Sequence, residues 1–133
     1  MEYMVLIYAN LQNWGHPTFL RTPQALAMSQ DERDDMSAGF EALMKEISES
    51  GELIGGAPLA DPASATTVRV RDGGTVATDG PYVEAKEQFA GYFLLDCASP
   101  ERAMEIAARF PDARFAAVEV RPVMGTSRAD HAR

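Results

Sequence analysis

The stretch Asp79-Gly80-Pro81-Tyr82-Val83-Glu84-Ala85-Lys86-Glu87-Gln88-Phe89-Ala90-Gly91-Tyr92-Phe93 decides how this chain is read. It opens as a turn. Asp79 offers a side-chain acceptor to the backbone two residues on, Gly80 permits positive φ, and Pro81 fixes φ. It runs into a strand over residues 89–97, rich in aromatic and aliphatic side chains. Simple alternation puts Phe89, Gly91, Phe93, Leu95 and Cys97 on one face and Ala90, Tyr92, Leu94 and Asp96 on the other. Between turn and strand lie Glu84, Lys86 and Glu87, a mixed-sign cluster that no turn requires. Two readings stay open. The charges form surface pairs that contribute little, or they line a cleft where Asp79 and Glu84 hold a polar ligand or pass a proton and Lys86 meets an anion.

Upstream, residues 66–71 alternate Thr67, Arg69 and Arg71 against Val68 and Val70. Asp72-Gly73-Gly74 is a hairpin signal, and residues 75–78 return as the partner strand, exposed on one face. Residues 52–59 form a strand whose paired Gly55 and Gly56 mark a bulge or a close backbone approach. Before it, Ser29 and Glu32 make a capping box, and Met36, Phe40, Leu43, Met44 and Ile47 fall on one helical face ended by Gly51. Asp31, Glu32, Asp34 and Asp35 suit the positive end of that helix, so they need no metal. Thr22-Pro23 starts a shorter helical turn. Residues 3–9 are continuously apolar, which predicts a central strand covered on both faces. The loop over residues 10–17 holds Trp14 and His16, either as a lid on the core edge or as pocket walls.

Downstream, Ser99-Pro100 caps a second helix with Ala103, Ile106, Ala107 and Phe110 as its buried stripe, stopped by Pro111. Residues 115–123 form the last strand, with Glu119 and Arg121 opposite Val118 and Val120. Residues 125–133 lack periodicity and are expected to be a flexible tail on a single domain over 1–124.

The element order, with the hairpin set aside, is βαββαβ. The fold class is therefore α+β, ferredoxin-like, with an inserted β-hairpin and two helices on one face of an antiparallel sheet. Tyr and Phe on the two central strands would leave the second face apolar, so a homodimer through the sheet, a dimeric α+β barrel, is expected.

Composition narrows the function. Twenty acidic against twelve basic residues give a net charge of −8 with no basic stripe, which opposes nucleic-acid binding. The single cysteine, Cys97, forbids an internal disulfide and reads as a buried structural thiol. Two scattered His and one Cys make no zinc set. There is no G-x-S-x-G elbow, and neither Gly55-Gly56 nor Gly73-Gly74 has the residues of a phosphate loop. No cofactor is implied. The apolar N-terminal run is too short for a bilayer and lacks leader features, so a cytoplasmic protein without membrane contact is expected.

The pattern Asp79-Gly80-Pro81-Tyr82-x-Glu84-x-Lys86-Glu87-Gln88-x-x-Gly91-Tyr92-Phe93 resembles the signature of the YCII-related, DGPF-domain family, with Tyr82 in place of the usual Phe. Residues 4–8, 66–73 and 118–123 resemble its opening strand, hairpin and closing strand. The resemblance implies a dimeric ferredoxin-like fold. It also implies a binding or regulatory role, accessory to an extracytoplasmic-function sigma factor, since many members are associated with one. The alternative it allows is a small enzyme or small-molecule binder, because one branch has a proposed His-Asp pair in a cleft. The helix His of relatives is absent here: Ser37 stands one turn before Phe40, and His16 is the candidate substitute. The ligand-site candidates are Asp79, Tyr82, Glu84, Lys86, Glu87, His16, Trp14 and Tyr8.

Overall fold

β1 (Glu2–Asn10) is a central strand of the computed structural model, which describes residues 1–83 and 85–125. After two single 3-10 turns come α1 (Pro23–Ala27), α2 (Gln30–Glu49) and β2 (Leu53–Pro58). A hairpin, β3 (Thr66–Arg71) and β4 (Gly74–Asp79), precedes β5 (Glu87–Asp96). The chain ends with α3 (Pro100–Ala108), α4 (Asp112–Phe115) and β6 (Val118–Pro122). The main sheet has the order β2-β5-β1-β6, every neighbouring pair antiparallel. This is the ferredoxin-like α+β order, with the hairpin as a separate two-stranded sheet.

The helices start where side chains can cap them. Thr22 Oγ1 accepts from the Ala25 amide at 3.1 Å, Ser29 Oγ from Glu32 at 3.2 Å, and Ser99 Oγ from Arg102 at 3.1 Å. Gly51, at φ +82°, follows α2 in the left-handed region that Gly tolerates best. Leu43 and Ile47 of α2 and Ala103, Ile106 and Phe110 at α3 pack on Tyr3, Val5, Ile7 and Leu95. Both helices therefore cover one sheet face. Each fully buried Leu or Ile contributes roughly 1.5–3 kcal/mol there. On the other face Met4, Leu6 and Tyr8 of β1 are half-buried, so the strand is sealed on one side only within a single chain.

Three sequence expectations need correction. First, β5 does not alternate regularly. Its register with β1 slips so that Ile7 faces Gly91 and Tyr8 faces Phe89, leaving Ala90 as the extra residue. A bulge reverses the faces beyond it. Ala90 turns into the core while Phe89 sits edge-on to Tyr8 with ring centroids 5.9 Å apart. Second, the hairpin is exposed on both faces, and only Thr67 is half-buried. Third, Pro111 does not lead straight to a strand. It precedes α4, which takes up Phe115 and delays β6 to Val118. Cys97 is buried in the core as expected. Of the tail, only Gly125 is among the described residues. No helix among the described residues is long and apolar enough to cross a membrane.

Candidate functional site

The register slip in β5 and the inserted α4 bring together residues that are remote in sequence. Thr18, in the 3-10 turn Thr18–Arg21, donates its hydroxyl hydrogen to Oδ1 of Asp112, the first residue of α4. Both side chains are buried. Burial pushes the Asp112 carboxyl above its ordinary value, and the Thr18 hydrogen bond, Asp112's own backbone amide and the nearby His16 oppose only part of that rise. Thr18, Phe19 and Asp112 form a wall between two cavities and line both.

The first cavity, about 370 Å³, is mainly apolar. Ile7, Phe19, Phe40 and Phe93 wall it, and Gly56 and Gly91 contribute bare backbone. Both glycines are required by close approach. A Cβ on Gly91 would lie 2.8 Å from the Ala57 oxygen, and one on Gly56 would lie 2.5 Å from the Tyr92 oxygen. The Phe rings run on from Phe19 to Phe40 (5.6 Å) and from Phe40 to Phe110 (5.7 Å), fixing the wall by tilted contacts. His16 lies at this cavity's rim. Its Nε2 lies 2.6 Å from the Leu59 carbonyl oxygen. A carbonyl only accepts, so Nε2 carries the hydrogen and the neutral ring keeps its lone pair on Nδ1. Trp14 packs against the core and edge-on to His16 at 5.7 Å, supporting the ring from outside the cavity.

The second cavity, about 360 Å³, is polar and lies beyond the Thr18–Asp112 wall. Tyr8, Asn10, Gln12, Gln24, Lys86 and Glu87 line it. The Tyr8 hydroxyl donates to Glu119 Oε1 at 3.2 Å, and burial together with that carboxylate raises its pKa. Glu119 is held below its ordinary value by Arg121 and then by Tyr8. The stretch leading into β5 is tied down as a strap at Val83, Ala85 and Lys86. The buried Gln88 amide donates to the carbonyls of Val83 (2.8 Å) and Ala85 (3.2 Å), and the Leu11 amide reaches the Lys86 carbonyl at 3.4 Å.

The residues singled out in the sequence thus divide. Tyr8, Lys86 and Glu87 meet at the polar cavity, and His16 is at the apolar one. Asp79 ends β4 on the exposed hairpin, with no hydrogen-bond partner for its carboxylate among the described residues. Gly80, at φ +96°, makes the turn through backbone instead: its amide donates to the Ala65 carbonyl at 2.7 Å. Tyr82 is exposed, with the Arg69 guanidinium 5.0 Å from its ring centroid. Glu84 lies outside the described residues. Thr18 and Asp112 escaped the sequence reading because they are 94 residues apart. The one local signal was an acid directly after Pro111, where a helix stop was expected.

A family profile described as the YCII-related domain matches residues 1–127. Over 99 residues the chain is 34% identical to an uncharacterized protein of Rhizobium meliloti (strain 1021), a match covering 73% of this chain and 80% of that protein. Among solved structures it is similar to a 5-chloro-2-hydroxyhydroquinone dehydrochlorinase from Burkholderia phenoliruptrix AC1100 in complex with 2,5-dihydroxybenzoquinone. That likeness has 14% identity and a TM-score of 0.46, and covers 98% of each chain.

Proposed function

The chain belongs to the family of YCII-related domains, and on that premise we propose that it is a small-molecule enzyme working by acid–base chemistry in the apolar cavity beside His16 and Asp112. The observation that carries this reading is the buried Asp112 carboxyl, shielded from water at the wall of an aromatic-lined cavity. A carboxyl held toward its protonated form is a proton donor. His16, with Nε2–H committed to the Leu59 carbonyl, supplies the complementary lone pair at Nδ1. Phe19, Phe40 and Phe93 favour a flat, largely apolar substrate with one acidic C–H or O–H. Proton removal at His16 and delivery from Asp112 to another atom of the same molecule is a tautomerisation, which needs no redox partner. Cyclic ketones report this step through exchange of their α-hydrogens in D2O. The expected result is exchange above the buffer rate, reduced about 10²-fold or more in His16→Ala and in Asp112→Asn. Exchange at the buffer rate across a panel of cyclic ketones and phenols, or rates unchanged in both variants, overturns the reading.

Two surfaces bear on partners. The uncovered sheet face carries half-buried Met4 and Leu6 on β1, paired in register with Leu94 and Tyr92 on β5. This apolar row supports a homodimer through the sheet. Sedimentation should find a dimer that Leu94→Asp converts to monomer; a wild-type monomer at micromolar concentration removes the idea. The hairpin exposes Val68, Val70 and Val76 and is the surface that supports a protein partner in the cytoplasm, an extracytoplasmic-function sigma factor being the kind the resemblance suggests. Purification from the native host at native levels with no partner recovered removes that role.

A further inference from the structure

Apart from the shared Thr18, Phe19 and Asp112, the polar cavity has no part in the chemistry above, yet its wall is composed for a ligand. Its volume, about 360 Å³, falls at the small end of ligand sites. Many of its polar groups are already committed. The Tyr8 hydroxyl hydrogen goes to Glu119. The Thr22 hydroxyl accepts from the Ala25 amide and donates to the Phe19 carbonyl. Asn10 Oδ1 accepts from the Gln12 amide at 2.9 Å, which leaves the Asn10 NH2 to donate. The Lys86 ammonium and the Glu87 carboxylate have no ion-pair partner among the described residues. Among the described residues, the uncommitted groups in the wall are therefore one cation, one carboxylate and the Asn10 amide, which lies across from Glu87 in the strand register, together with the buried Asp112 carboxyl.

That composition disfavours ligands of a single sign. A simple anion drawn to Lys86 would also face Glu87 and Asp112, and a simple cation drawn to Glu87 would face Lys86. A molecule with both signs a few bonds apart satisfies both ends. We propose that this cavity is a second binding site, for a small zwitterion of the α-amino-acid class. Lys86 takes the carboxylate, Glu87 takes the ammonium, and the Asn10 amide, across from Glu87 in register, donates to the ligand. The Gln12 and Gln24 amides line the part left for the side chain. The site shares the Thr18–Phe19–Asp112 wall with the apolar cavity, but its test reads binding at Lys86 and Glu87, neither of which takes part in the proton chemistry proposed there.

Ligand-observed NMR with the twenty standard amino acids, one at a time, tests this on the full chain. At least one should bind. Its hydroxy-acid analogue, which keeps the carboxylate and loses the ammonium, should bind at least ~10-fold more weakly, as should the matching amine without the carboxylate. Lys86→Met and Glu87→Gln alter exposed side chains and should keep the wild-type circular dichroism. Each should cost at least ~10-fold in affinity, while Val70→Ala, on the exposed hairpin, leaves the affinity unchanged. No binding by any amino acid overturns the proposal. So does equal binding of the hydroxy acid or amine, or an affinity that survives Lys86→Met or Glu87→Gln.

Discussion

Arg102 ties three elements together, and its removal should reveal a stability contribution that vanishes in acid. It lies in the first turn of α3 and bonds Glu52 just before β2 through Nε (2.8 Å) and Nη2 (2.9 Å), a two-point contact. It also reaches Glu46 of α2 at 3.1 Å and Glu105 at 2.6 Å. Glu52 is held down from 4.5 to about 2, first by the Arg102 hydrogen bonds, against burial and with help from Ser50. Arg102 is raised as well, but it serves three carboxylates, so the Glu52 shift measures this one pair better. A drop of that size corresponds to about 3 kcal/mol as an upper bound. The pair is near the surface, with Arg102 25% and Glu52 17% exposed, so solvent screening reduces the expectation to about 1–2 kcal/mol. A carboxylate whose folded pKa is lowered stabilises above its ordinary value of 4.5 and loses that contribution as pH falls toward 2. A double-mutant cycle with Arg102→Met, Glu52→Gln and both, followed by urea unfolding, isolates the coupling from the Glu46 and Glu105 contacts. It should be about 1–2 kcal/mol at neutral pH, with Arg102→Met lowering Tm by about 5 °C, and should fall to roughly half near pH ~3. A coupling within error of zero, or one equal at pH 7 and pH 3, refutes the reasoning.

Other substitutions test the site and its frame. Asp112 has a raised carboxyl pKa, so its contribution weakens the fold as pH climbs from the ordinary 3.8 to the folded value. Asp112→Asn should therefore be more stable than wild type at neutral pH while losing activity, and the gain should shrink as pH falls toward the ordinary 3.8 and be gone below it. Chemical denaturation across that range decides it. Gly91→Ala puts a Cβ 2.8 Å from the Ala57 oxygen, so a loss of about 1–3 kcal/mol by thermal unfolding is expected, together with faster amide exchange in β2. Gln88→Leu leaves the Val83 and Ala85 carbonyls without their donor. It should cost about 1–3 kcal/mol and speed proteolytic cleavage in the strap. Burial pushes the Cys97 thiol up, so it should resist thiol reagents until the chain unfolds; reaction at the native rate of a free thiol would contradict its place in the core.

What could be read from the sequence was local, and what could not be read was set by distant partners. Thr22, Ser29 and Ser99 announce their helices because a cap bond spans three residues, and all three bonds form. The Asp72-Gly73 turn is legible for the same reason: Asp72 at φ +51° and Gly73 at φ +78° make the two-residue connection between Arg71 and Gly74. The bulge at Ala90 has no such local mark. It arises because β1 pairs Tyr8 with Phe89 and Ile7 with Gly91, a relation between strands that alternation within one strand cannot express. Gly91 hinted at it, since a strand glycine often marks a bulge or close approach. The second exposed face of the hairpin was hidden likewise, because alternation tells which residues share a face but not whether anything packs on it.

The candidate site follows the same division, and this explains why the densest stretch of unusual residues is not where the proton chemistry is placed. Asp79, Gly80 and Tyr82 turn the hairpin toward β5 in the open, and Gln88 fastens the strap that follows. Those tasks account for the turn residues without a ligand. Lys86 and Glu87 are left over by them, and both line a cavity. The buried carboxyl comes from an unremarked Pro-Asp pair after α3, and its hydroxyl partner from a loop 94 residues away. A charge in the open is weakened by water, and the same group at an apolar wall has its proton affinity altered. Burial, which only the assembled fold supplies, is therefore what separates Asp112 from the other acidic residues among the described ones. It also places one carboxyl at the boundary of two chambers, one mainly apolar and one of mixed character, where its proton affinity is set by what surrounds it in both.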